Sequence, residues 1–154
     1  MISKMIVPLI TLFGFICHPA FAFDDLVTEL RKYVTVVINS FGCEYSPKAD
    51  GWYRPSANRL ELCMENIQNN WPKDRHNDVY RKVLMHEAVH LAQDCNAGFH
   101  NSDLKPFKVN MTVPEYVSNR YEKHHHQIEA EAFSYWHKGN VPLELVKKFC
   151  KVLN

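Results

Sequence analysis

The sequence predicts an α+β domain, mostly helical, with a small sheet beside one central helix, and three observations carry that prediction. Val79, Val83, His86 and His90 recur at spacings of three and four, with Leu84, Leu91 and Ala92 burying the flanks, the pattern of a helix with a buried face. Two short runs, Trp52-Tyr53-Arg54 and Arg59-Leu60-Glu61-Leu62-Cys63, flank the turn-forming Pro55-Ser56-Ala57-Asn58 and read as a hairpin. An even set of cysteines follows an export-like leader, so disulfides are expected to brace a small domain.

With 154 residues, 46% of them hydrophobic, and a formal charge of +1, the chain has the size of one globular domain and lacks the basic excess of a nucleic-acid binder. Residues 1–22 carry Lys4, an apolar run from Met5 through Cys17, and Ala20-Phe21-Ala22, the small-x-small pattern read by a signal peptidase. The mature chain is therefore expected to begin at Phe23 and to form a single domain over 23–154, secreted or periplasmic and free of the membrane. Pro8 and Gly14 interrupt a run shorter than the roughly 20 residues that span a bilayer. Ile16 stands before Cys17, where a lipidation site wants a small residue.

Removing the leader leaves Cys43, Cys63, Cys95 and Cys150, for which three connectivities exist. The expected pairing joins Cys43 to Cys63 across the hairpin and Cys95 to Cys150, tying the end of the central helix to the last one. No Cys-x-x-Cys occurs, which speaks against a thiolate metal site.

Taken in order, Asp24-Asp25 can cap a first helix whose apolar residues Leu26, Leu30, Tyr33, Val34, Val37, Ile38 and Phe41 recur at three and four and stop before Gly42. The β-branched run Thr35-Val36-Val37-Ile38 offers a strand as the lesser alternative. The hairpin comes next. Asn77-Asp78 then supplies an N-cap for the central helix and Gly98 its end. A loop is expected over 96–112, a short helix after Pro114, and a longer helix over 119–137 stopped by Gly139 and Pro142. Pro142, at a first helical position, opens the final helix, with Leu145, Val146, Phe149, Val152 and Leu153 turned inward.

The central helix carries His86-Glu87-Ala88-Val89-His90. Two imidazoles four residues apart lie on one helix face and can close on one zinc ion, while the glutamate between them reaches a water on that ion. A third protein ligand is required, and Glu129-Ala130-Glu131-Ala132 is the best source. At 100° per residue, Ile128, Ala132, Phe133, Tyr135 and Trp136 cluster on one side with Glu129 among them, whereas Glu131 points away and is expected at the surface. A carboxylate facing an apolar core is costly without a partner, so an inward Glu129 itself argues for a cation. One Zn²⁺ held by His86, His90 and Glu129 would lower the pKa of water from about 15.7 toward roughly 7, with Glu87 as general base. Tyr121, Tyr116 and His137 are oxyanion donors by residue type alone.

On these residues the chain resembles the gluzincin zinc peptidases, which combine thermolysin-like His-Glu-x-x-His helices with a glutamate ligand from a later helix. In several small and CAAX-type members that glutamate stands in a Glu-x-x-Ala setting, to which Glu129-Ala130-Glu131-Ala132 is similar. The family also has a strand beside the zinc helix that lines the substrate groove, a place that residues 52–63 would take. The resemblance covers residues 52–136 and implies a zincin-like fold and zinc-dependent hydrolysis of peptide bonds in a peptide or protein substrate. Many relatives carry an aspartate four residues past the ligand glutamate to support a histidine. This chain has Phe133 there; Asp94, one turn after His90, is the candidate carboxylate to serve instead, the other reading being an exposed residue at the helix end.

His124-His125-His126 reads as a solvated face, because three neighbours on a helix cannot serve one ion, with His125 and His126 one turn from Glu129. Arg54, Arg59 and Arg75 read as surface residues that could meet a substrate carboxylate. The alternative to an enzyme is a zinc-stabilised, disulfide-bonded binding or inhibitory module. An open coordination position near Glu87 separates the two.

Overall fold

The computed structural model describes residues 23–99, 103–108 and 110–153, so the leader assigned to 1–22 lies outside the described residues. Helix α1 (Phe23–Leu30) starts where expected, with Asp24 and Asp25 beside its N-terminal amides and Leu26, Val27 and Leu30 buried. It stops at Leu30 instead of running to Phe41. The β-branched segment forms strand β1 (Thr35–Ile38), and the short helix α2 (Phe41–Tyr45) follows.

Strands β2 (Gly51–Arg54) and β3 (Arg59–Leu62) form the predicted hairpin around a turn at Pro55–Ala57. Asn58 closes that turn in the left-handed region at φ 42°, which asparagine tolerates. The sheet order is β1-β3-β2: β1 pairs parallel with β3 from Thr35↔Arg59 to Ile38↔Leu62, and β2 pairs antiparallel. This pairing explains the correction to the first helix. Val36 is buried as a strand residue, and the backbone groups of 35–38 find partners on β3 that lie outside any local periodicity.

Helix α3 (Met64–Asn70) leads through a turn at Lys73–Arg75 into α4 (His76–Ala97), which starts just before the proposed Asn77-Asp78 cap and ends at Gly98, φ 108°. Every residue from Val83 to Asp94 is buried. A helix wet on one face would alternate; α4 is instead surrounded by the sheet, by α1 and α3, and by two later helices.

The helix expected over 119–137 is two. Helix α5 (Glu115–Arg120) ends where Tyr121 turns extended (φ −118°, ψ 154°), a turn at Lys123–His125 follows, and α6 (His126–Tyr135) begins. The last helix, α7 (Val141–Phe149), has Pro142 in its first turn and buries Leu143 and Val146 against α4. Val152 and Leu153, expected inward, are exposed: the chain past Phe149 is no longer helical, and Leu153 N–H donates to Lys32 O, so backbone and not side chain ties the tail down. Both disulfides take the expected pairing, Cys43–Cys63 with Cα atoms 5.4 Å apart and Cys95–Cys150 with 5.2 Å. The first links α2 to the end of β3, and the second links the last turn of α4 to the end of α7.

Candidate metal centre

His86 and His90 stand one helical turn apart on the buried middle of α4, and their rings meet edge to face. Their Nε2 atoms lie 3.1 Å apart. Glu129, in the first turn of α6, brings Oε2 to 3.2 Å from His86 Nε2 and Oε1 to 3.5 Å from His90 Nε2. The three residues form a group able to hold a metal ion, with ligand atoms all within 4.8 Å of one another. Burial would raise the Glu129 carboxyl, but its hydrogen bonds to the two imidazoles hold it well below the usual carboxylate range. Burial pulls the His90 pKa down, yet the Glu129 hydrogen bond and charge, with Glu87 nearby, raise it to about 9.

His90 Nδ1 is bonded to Gln93 Oε1 at 2.8 Å, so the support expected from Asp94 comes from the neighbouring residue. Asp94 is buried and accepts the Tyr53 hydroxyl at 2.7 Å. The Phe133 ring packs 4.4 Å from the His86 ring and supplies an apolar wall there.

Glu131 corrects the sequence reading. It is fully buried, and its carboxylate accepts from Gln93 Nε2 at 2.9 Å and from the backbone amides of Phe107 and Lys108, each at 2.8 Å. The side of α6 opposite Glu129 is thus covered by the segment around Phe107, which helical spacing within α6 could not reveal.

Glu87 and His86 line a cleft between α4, the start of β2 and α6, walled by Trp71, Tyr121, Phe133 and Trp136. Of the three oxyanion candidates, only Tyr121 lines it. Burial, with the Glu129 charge, pushes its hydroxyl above the usual tyrosine range, so it stays a protonated donor. Tyr116 is exposed with its ring edge-on to Phe133, and His137 is exposed. Arg75 also lines the cleft, but Arg54 and Arg59 are spoken for: both bond the buried Glu61, Arg54 Nε at 2.6 Å and Arg59 Nε at 2.8 Å.

His124 and His125 are exposed as expected, whereas His126 Nε2–H donates to Tyr121 O at 2.8 Å. The same device opens α4, where His76 Nε2–H donates to Trp71 O at 2.8 Å. In both places an aromatic residue leaves the preceding helix extended, its ring joins the cleft wall, and the next helix starts at the histidine five positions on. Gln93 and Trp71 were missed by sequence reasoning, and Trp136 was placed on the side of Glu129 without a place in a cleft wall. The spacing of three between His90 and Gln93 on one helix was the available signal for the first.

No curated protein and no solved structure matches the chain. A family profile described as "Domain of unknown function (DUF8637)" matches residues 23–151, and the chain belongs to that family.

Proposed function

We propose that this chain is an exported zinc-dependent endopeptidase with a zincin-like arrangement, in which Glu87 is the general base. The observation that carries this reading is the convergence of His86 Nε2, His90 Nε2 and the Glu129 carboxylate within 4.8 Å, beside Glu87 in an aromatic-walled cleft. A tetrahedral ion with ligand distances of about 2.0–2.2 Å asks for donors about 3.3–3.5 Å apart. The separations of 3.1, 3.2 and 3.5 Å fall close to that demand. Two imidazoles and one carboxylate are also a usual protein ligand set for catalytic zinc, with a fourth position left for water or substrate.

When bound, zinc would polarise the scissile carbonyl and bring the pKa of water toward roughly 7. Glu87 lines the same cleft without belonging to the ligand group, which suits a proton carrier. It takes a proton from the water that adds to the carbonyl carbon and gives it to the amide nitrogen as the C–N bond breaks, releasing an acid and an amine. The Tyr121 hydroxyl, kept protonated and hydrogen-bonded toward Glu129, would turn from that carboxylate to donate to the oxyanion that forms in between. Two disulfides suit an oxidising compartment, and no described helix is long and apolar enough to cross a membrane.

The test is digestion of a broad peptide library by the mature chain, before and after metal removal. Cleavage lost with the chelator and restored by about one equivalent of zinc is expected. Cleavage that survives complete metal removal would overturn the reading.

A further inference from the structure

His90 can serve an ion through Nε2 only if the proton of its neutral ring sits on Nδ1, and something in the protein must choose that tautomer. The choice runs through Gln93, whose amide has two faces with opposite demands: Nε2 can only donate and Oε1 can only accept. On one side, Nε2 donates to Ile128 O at 3.2 Å and to Glu131 Oε2 at 2.9 Å. A backbone carbonyl has no proton to give, so this side of the amide must be NH₂. Glu131 is in turn held by the backbone amides of Phe107 and Lys108, both at 2.8 Å. A flipped Gln93 would set its carbonyl oxygen against two acceptors in a fully buried place, at a cost in lost hydrogen bonds and repulsion. Oε1 therefore faces His90 at 2.8 Å, and the hydrogen between them belongs to Nδ1.

We propose that Gln93 is a positioning residue that selects the Nδ1–H tautomer of His90 and so directs its Nε2 to the ion, with Glu131 and the Ile128 carbonyl fixing which way the Gln93 amide faces. This rests on the zinc reading for its consequence, though not for the tautomer itself. The arrangement differs from a carboxylate support in one useful way: a neutral amide orients the ring without adding another negative charge beside Glu87 and Glu129. It also joins the metal ligand to the Phe107–Lys108 backbone through one buried chain of hydrogen bonds, His90 to Gln93 to Glu131.

Two measurements on the ¹⁵N-labelled mature chain test this. Ring-nitrogen correlation spectra of the zinc-loaded protein are expected to show His90 with Nδ1 protonated and Nε2 coordinated; coordination through Nδ1 overturns the proposal. Competition with a chromogenic zinc chelator is expected to show Gln93→Leu binding zinc 10–100-fold more weakly than wild type at an unchanged helix content, the range found for the outer partners of metal ligands. Affinity within twofold of wild type in a folded Gln93→Leu overturns it. Should that variant fail to fold, the wild-type spectrum decides alone. If the wild type binds no zinc at all, the zinc reading fails, and the metal-free protein still answers: a His90 Nδ1–H that exchanges more slowly in the wild type than in folded Gln93→Leu supports the role of Gln93, and equal exchange in the two refutes that role.

Discussion

Glu129 and Glu131 are two residues apart on α6, yet one faces two imidazoles and the other a glutamine and two backbone amides. Removing each should therefore fail differently. Glu129→Ala is expected to lose stoichiometric zinc, whereas Glu131→Ala should still fill its site at saturating zinc but unfold about 1–3 kcal/mol more easily, having left buried donors unpaired. Metal analysis beside urea unfolding reads both, and zinc lost only from Glu131→Ala would mean the wrong glutamate has been assigned. The helix wheel put Glu129 on the side of Phe133 and Trp136, one and two turns on, and that is the side where the two imidazoles lie. It failed for Glu131 because the covering segment at 105–108 is remote from α6 along the chain and has no helical periodicity of its own.

Glu61 is a second buried carboxylate, and it gives the fold an acid limit. Burial alone would raise its pKa, but hydrogen bonds from Ser40 and Arg54 hold it below the usual range. A depressed native pKa means that this group stabilises the fold above the unfolded-state value near 4.3, and that the contribution fades as pH falls through the lower native value. Glu61→Gln is thus expected to cost about 1–3 kcal/mol at neutral pH, with the gap to wild type closing below about pH 4. A gap that stays constant between pH 7 and pH 3 in urea unfolding would contradict this.

Among the elements, β2 lies so close to its neighbours that a side chain at Gly51 has no room: a Cβ there would come within 2.7 Å of both Glu61 O and Val83 Cγ1. That closeness seats the sheet on α4 beside the cleft. Gly51→Ala should cost about 1–3 kcal/mol through overpacking, read as a lower urea midpoint, and an unchanged midpoint would mean that the sheet rides higher on the helix. The hairpin was legible because its strands and its turn are consecutive. Strand β1 was not, since its partner is β3, some two dozen residues away, as in Thr35↔Arg59. Leu26, Leu30, Tyr33 and Val34 all pack in the core, and their spacing extended an apparent helical period past the point where the helix ends. The break at Tyr121 was hidden for a related reason: no glycine or proline marks it, and what holds it is the bond from His126 Nε2–H to the Tyr121 carbonyl.

At the scale of the whole molecule, the buried middle of α4 holds His86, Glu87 and His90 in place, and α6 brings Glu129 to the two histidines across 43 residues of sequence. The His86-Glu87-x-x-His90 half of this centre is a local property of one helix and can be read from spacing. The convergence with Glu129 depends on how α6 packs on α4, and the aromatic cleft wall depends on segments from three parts of the chain, at Trp71, at Tyr121 and at Phe133 and Trp136. The central claim is that this centre is catalytic, and the most direct measurement compares Glu87→Gln with the wild type for cleavage rate, zinc content and thermal unfolding. Glu87→Gln is expected to keep the fold and about one zinc while losing 10²–10⁴-fold in rate, the usual cost of a missing general base. A Glu87→Gln protein that cleaves as fast as wild type, or a zinc-loaded wild type that cleaves nothing across a broad peptide library, would contradict it and leave the metal as a brace for a binding module.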